Sequence, residues 1–185
     1  MKRILFLGDS LTAGYGLANV SLESLPALLQ ENINALKLEY KITNAGISGD
    51  TSAGGLQRVD VLLYEPVDVF VLELGANDIL RGISPATTHK NLQAIISKVK
   101  NRYPAAKMLL LGMEIPAWIP GTLAASFRNI FRTLASDNDM ALVPFLLDGV
   151  LGVKHLNLND GLHPTAAGYR IVATKVWPVL KQLIG

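Results

Sequence analysis

Apolar residues are distributed along the chain in two alternating patterns. Five short runs rich in Ile, Val, Leu and Phe recur at 4–7, 40–43, 67–74, 108–113 and 140–145. Each is nearly continuous in apolar character, which suits strands buried on both faces of a parallel sheet; a half-exposed strand would alternate with polar positions. Between the runs the spacing changes to three- and four-residue steps. Leu22, Leu25, Leu28, Leu29 and Ile33 form one stripe, with Glu23, Gln30 and Glu31 facing away. Leu92, Ile95, Ile96 and Val99 form a second, Phe127, Ile130, Phe131 and Leu134 a third, and Ile171, Val172, Val176 and Leu180 a fourth. These are amphipathic helices.

Strand and helix therefore alternate, which predicts a three-layer α/β/α sandwich on a five-stranded parallel sheet with right-handed crossovers. No repeat, low-complexity tract or linker divides residues 1–185, so a single domain is expected. At this length such a domain buries about 70% of its unfolded surface without disulfides. In open α/β sheets, ligands bind outside the carboxyl ends of the strands, so the residues that follow each strand are the first to read for chemistry.

Composition narrows the chemistry. Hydrophobic residues make up 50% of the chain and charged residues 17%, which excludes a disordered protein. The 17 Lys and Arg nearly balance 15 Asp and Glu, and no basic cluster appears, so no nucleic-acid partner is expected. The chain has no cysteine, which removes disulfides, a thiol nucleophile and cysteine-ligated zinc. No apolar stretch approaches the ~18 residues of a membrane span. The run after Met1-Lys2-Arg3 is too short for a signal-peptide core, which predicts a cytoplasmic protein as written, or a periplasmic or secreted one if the sequence is a trimmed mature form.

Four loops after predicted strands carry candidate chemistry. The first is Gly8-Asp9-Ser10-Leu11. A serine there can be a nucleophile, but a serine at a strand-to-helix junction is more commonly the cap of the next helix. The second is Asn44-Ala45-Gly46-Ile47-Ser48-Gly49-Asp50-Thr51, where two glycines let backbone N–H groups approach a ligand. It reads equally as a loop leading to a helix capped by Asp50 or Thr51. The third is Gly75-Ala76-Asn77-Asp78, whose Asn77 amide supplies uncharged donors suited to an oxyanion, or else sits in a turn. The fourth is Asp160-Gly161-Leu162-His163-Pro164, a spacing that brings a carboxylate to imidazole Nδ1 and leaves Nε2 as a general base. Pro164 suits the first turn of a following helix. His89 and His155 have no such carboxylate and read as surface residues, and no histidine pair has metal-ligand spacing.

Each block alone is weak. Together they place a nucleophile, donors and an acid–base pair on one sheet edge, in the chain order Ser…Asp…His. The four blocks in order resemble the SGNH (GDSL) hydrolase family over essentially the whole chain, and most closely its small bacterial branch of acyl thioesterases, lysophospholipases and arylesterases. The resemblance implies a flavodoxin-like topology and a serine ester hydrolase with Ser10 as nucleophile, His163 as base and Asp160 as its partner. It further implies an oxyanion hole from the backbone N–H groups of Ser10 and Gly49 and the side chain of Asn77, with no cofactor and no metal. Asp9 and Asp78 would orient loops.

Substrates implied are small-molecule esters, thioesters or lipids: aryl, short- to medium-chain acyl or lysophospholipid. Ile79 and Leu80 resemble the family's loop beside the acyl chain, and Ile115, Pro116 and Trp118 belong to an apolar loop able to line an acyl groove. Trp118-Ile119-Pro120 stands where close relatives carry a polar Asn-Tyr-Gly type segment. Two competing readings are a carbohydrate O-acetyl esterase with the same triad and a non-catalytic flavodoxin-like binding module. The apolar loops weigh against the former, and the latter predicts no hydrolysis of any activated ester.

Overall fold

The computed structural model describes residues 1–114 and 122–185. Within them, β1 (Lys2–Gly8), β2 (Tyr40–Gly46), β3 (Val69–Glu73), β4 (Lys107–Leu111) and β5 (Ala141–Val143) form one sheet in the order β2-β1-β3-β4-β5. Every pairing in it is parallel. The helices are α1 (Ser10–Ala13), α2 (Val20–Glu23), α3 (Leu25–Ala35), α4 (Ser52–Leu62), α5 (Ala76–Leu80), α6 (Pro85–Arg102), α7 (Thr122–Asp137) and α8 (Ala166–Ile184). α3 packs with α8, and α6 packs with both α4 and α7, so helices cover both faces. This is the three-layer sandwich that the alternating pattern predicts.

The continuous apolar runs have the expected cause. Residues 4–7 of β1 and all of β3 are buried, because each strand has a neighbour on either edge and helices above and below. Phe6, Phe70, Phe127 and Phe131 are fully buried between the layers. Burying an aromatic side chain of this size contributes on the order of 1.5–3 kcal/mol. β2 lies at the sheet edge and is only half-buried.

Three of the boundaries that differ from the sequence expectation have a clear local cause. The stripe from Leu22 to Ile33 is two helices. Ser24 caps α3 through Ala27 N, and a proline occupies its first turn, so the helix restarts there. Leu22 is left on α2 and is 65% exposed. The run 140–145 ends as a strand at Val143, because Pro144 has no N–H to continue the ladder. Helix α8 begins at Ala166 with Thr165 as its cap, so Pro164 precedes the helix and pairs instead with Asn157.

The ladder register places the site. Gly8 aligns with Gly46 on one side and with Glu73 on the other. The segments leaving β1, β2 and β3 therefore emerge side by side at the carboxyl edge. Gly46 allows this crowding: a Cβ there would lie 2.2 Å from the backbone N of Ala13 in α1.

Candidate active site

Ser10 is the first residue of α1 and is 8% exposed. It does not cap the helix. That role falls to Asp9, whose Oδ1 accepts the N–H of Leu11 at 2.9 Å, so the Ser10 hydroxyl is available for other chemistry. It lies 2.8 Å from His163 Nε2. On the far side of the ring, His163 Nδ1 lies 2.7 Å from Asp160 Oδ2. With the proton on Nδ1 shared with the carboxylate, Nε2 accepts from the Ser10 hydroxyl.

The loop that carries this pair is held by its own backbone. Asp160 Oδ1 accepts the N–H groups of Leu162 and His163 at 2.9 and 3.0 Å, a turn that the Asp-x-x-His spacing builds. Burial acts to raise the Asp160 pKa, but the hydrogen bonds from His163 and Leu162 and the His163 charge outweigh it. The result is a pKa lowered to about 2. Tyr169 of α8 donates to Leu11 O at 3.0 Å, tying the helix after His163 to the helix that starts at Ser10. Burial, and then the charges of Glu73 and Asp9, push the Tyr169 phenol up, so it remains a donor. Tyr15 lies against the imidazole with ring centroids 4.7 Å apart.

Gly49 and Asn77 arrive at the same edge. Gly49 has φ of +80°, a left-handed conformation that other residues rarely adopt, and Thr51 caps α4 after it. The Gly49 loop is fixed at several points. Ile47 N donates to Gly8 O at 3.1 Å and Asp50 N to Ile47 O at 3.1 Å. Arg81 Nη2 donates to Gly49 O at 2.7 Å. Asn77 lies in the first turn of α5, not in an open turn, and its Nδ2 donates to Asp50 O at 2.9 Å and to Asp9 Oδ2 at 3.0 Å. Asp78 faces away and orients loops, as expected: it accepts from Ser52 N at 2.8 Å and Thr88 Oγ1 at 3.0 Å.

A cavity of about 360 Å³ opens beside Ser10, and its lining is almost wholly apolar. Ile79 and Leu80 line it, while Ile115, Pro116 and Trp118 lie outside the described residues. Other wall residues are Met113, Phe145, Leu147, Leu151 and Leu162; the sequence pattern placed Met113 and Phe145 at the ends of strand runs and Leu162 in the fourth loop. Glu114 also lines it, held by Arg132 at 2.9 Å.

Two supporting residues escaped the sequence reading. Arg58 of α4 donates to Gly8 O at 3.0 Å and to Ala45 O at 2.7 Å, and pairs with Asp50 Oδ2 at 2.7 Å. No local spacing announces it. Glu73 closes β3 and is fully buried beneath the site. A lone charge ending the apolar stretch Val69–Leu72 was a signal available in the sequence. Burial, and then the charge of Asp9, raise the Glu73 pKa well above the ordinary carboxylate value. His155 is exposed and His89 half-buried, both away from this cluster. Among the described residues, no group of His, Asp and Glu is arranged to hold a metal, and no helix is long and apolar enough to cross a membrane.

Known esterases resemble this chain over most of its length. The esterase TesA of Pseudomonas aeruginosa is 40% identical over 184 residues, covering 99% of this chain and 90% of its own. The thioesterase 1/protease 1/lysophospholipase L1 of Escherichia coli is 35% identical over 182 residues, covering 98% and 84%. The psychrotrophic esterase EstA of Pseudoalteromonas, solved inhibited by monoethylphosphonate, superposes with a TM-score of 0.87 at 34% identity, covering 98% of each chain. Residues 6–171 match the GDSL-like lipase/acylhydrolase family, to which this chain therefore belongs as a serine ester hydrolase.

Proposed function

We propose that residues 1–185 form a single hydrolase domain that cleaves carboxylic esters and thioesters through an acyl-enzyme on Ser10. The observation that carries this is the unbroken line from Ser10 Oγ through His163 to Asp160, at 2.8 and 2.7 Å, opening onto an apolar cavity. In the first half-reaction, Ser10 Oγ attacks the acyl carbonyl while His163 Nε2 takes its proton. The tetrahedral intermediate collapses as His163 returns that proton to the leaving alcohol or thiol. Water, deprotonated by the same nitrogen, then releases the acid and restores Ser10. Asp160 holds the tautomer and stabilises the imidazolium. The backbone N–H groups of Ser10 and Gly49 and the Asn77 amide receive the oxyanion, each worth about 3–4 kcal/mol in the transition state.

The apolar lining favours aryl and short- to medium-chain acyl groups, including the acyl chain of a lysophospholipid, over a sugar acetate, which needs polar partners around the ring. The named activities of the relatives, esterase and thioesterase/lysophospholipase, support the same substrate range. The test is Ser10→Ala. Its hydroxyl bonds to His163, so the variant is expected to fold as the parent does while losing p-nitrophenyl ester hydrolysis and covalent labelling by an organophosphonate. Substantial residual turnover would remove Ser10 from the role.

A further inference from the structure

Asp9 stands outside the line from Ser10 to Asp160, yet it is fully buried between the nucleophile and the Asn77 amide. Its two oxygens have separate tasks. Oδ1 accepts Leu11 N and so caps α1, whose first residue is Ser10. Oδ2 accepts Asn77 Nδ2 at 3.0 Å. Beneath it, Glu73 Oε2 accepts the Asp9 N–H at 3.1 Å and the Thr12 hydroxyl at 2.8 Å, which pins Asp9 from the floor of the site.

Asn77 Nδ2 has two protons and two acceptors, Asp9 Oδ2 and Asp50 O. A flipped amide would turn its own oxygen on both acceptors, so this pair of contacts defines one rotamer. The nitrogen is thereby fixed against Asp9, the residue before Ser10, and a shared, three-centre N–H can meet an oxyanion without rotation of the amide.

We propose that Asp9 is the positioning residue of the oxyanion hole: one carboxylate sets both the start of the nucleophile helix and the orientation of the Asn77 amide. The proposal rests on the assignment of Asn77 as an oxyanion donor. It separates Asp9 from a residue that merely stabilises the fold, because its effect on turnover must pass through Asn77.

The experiment is a double-mutant cycle on kcat for p-nitrophenyl butyrate, using Asp9→Asn, Asn77→Ala and the pair, with thermal unfolding followed in parallel. In Asp9→Asn, one oxygen still caps Leu11, but an NH2 group faces the Asn77 NH2. Asn77 must then flip or withdraw. Asp9→Asn is expected to lower kcat about 10- to 100-fold with KM little changed, the scale of loss that a small misplacement of a catalytic group produces. In the Asn77→Ala background the same substitution should cost less than about threefold. Asp9→Ser is the second variant: serine is a good helix cap but too short to reach Asn77, so it should show the same dependence with α1 intact. Equal losses with and without Asn77 would overturn the proposal and leave the Ser10 hydrolase standing. An unchanged kcat in Asn77→Ala would remove the oxyanion assignment and this proposal with it.

Discussion

Replacing Asp160 by asparagine separates two things that its carboxylate does. Oδ1 holds the loop through Leu162 N and His163 N, while Oδ2 faces His163 Nδ1 at 2.7 Å. In asparagine the single oxygen keeps the two backbone N–H groups, leaving an NH2 group against Nδ1. A donor there forces the imidazole proton onto Nε2, which then cannot accept from Ser10. In a buried triad this reversal costs about 10⁴ in kcat. Here the Asp160 side chain is 38% exposed, so water can replace part of the lost interaction. The expected loss is therefore smaller, about 10²–10³ in kcat, or ~3–4 kcal/mol of barrier. Asp160→Ala leaves the ring free to take either tautomer, so it should lose no more than the closer isostere does. The assay is kcat for a p-nitrophenyl ester at one fixed pH, with melting curves to confirm folding. A variant Asp160→Asn within about threefold of the parent would refute the assigned role.

The buried carboxyls predict a pH dependence of stability. Burial pushes Asp9 up to about 6 and raises Glu73 well above its ordinary value. The folded state then binds protons more tightly than the unfolded chain: the Asp9 contribution is complete below 3.8 and is lost as pH rises through about 6, and the Glu73 contribution is complete below 4.5 and is lost as pH rises from there through its raised folded value. Asp160, lowered to about 2, acts oppositely: its contribution is present above 3.8 and is lost as pH falls toward about 2. Glu73→Gln should therefore flatten the decline of melting temperature from acid to neutral pH, and parallel declines in both proteins would contradict it. In the cavity of about 360 Å³ beside Ser10, Leu151→Trp occupies part of the space. It should lower kcat/KM for an octanoyl ester relative to an acetyl ester by about tenfold, the scale of pocket-based discrimination between chains differing by a few methylenes. An unchanged ratio would place the acyl chain elsewhere.

The fold was legible because parallel strands covered on both faces leave nearly continuous apolar runs, as 4–7 and 69–72 do. It was least legible where local chemistry interrupts a pattern: Ser24 and the proline after it split one stripe into α2 and α3. Helix α4 has few buried apolar positions, with Ser52, Gly55 and Val59 facing inward, so periodicity alone did not reveal it. The cavity wall was hidden for a different reason. Met113, Phe145, Leu151 and Leu162 come from distant segments, and an apolar residue gives the same signal whether it lines a cleft or fills a core.

The sequence by itself determined the layers, the residues that leave each strand, and the local Asp160–His163 turn, since all depend on neighbours a few positions apart. Tertiary structure decided which of those residues meet. Ser10 and His163 are joined across the whole chain only because α8 returns to α1 through Tyr169, and because the register aligns Gly8 with Gly46 and Glu73. It also decided that Asp9, and not Ser10, caps α1. That assignment turns on which oxygen reaches Leu11 N, a distance of a few ångströms that no residue pattern encodes.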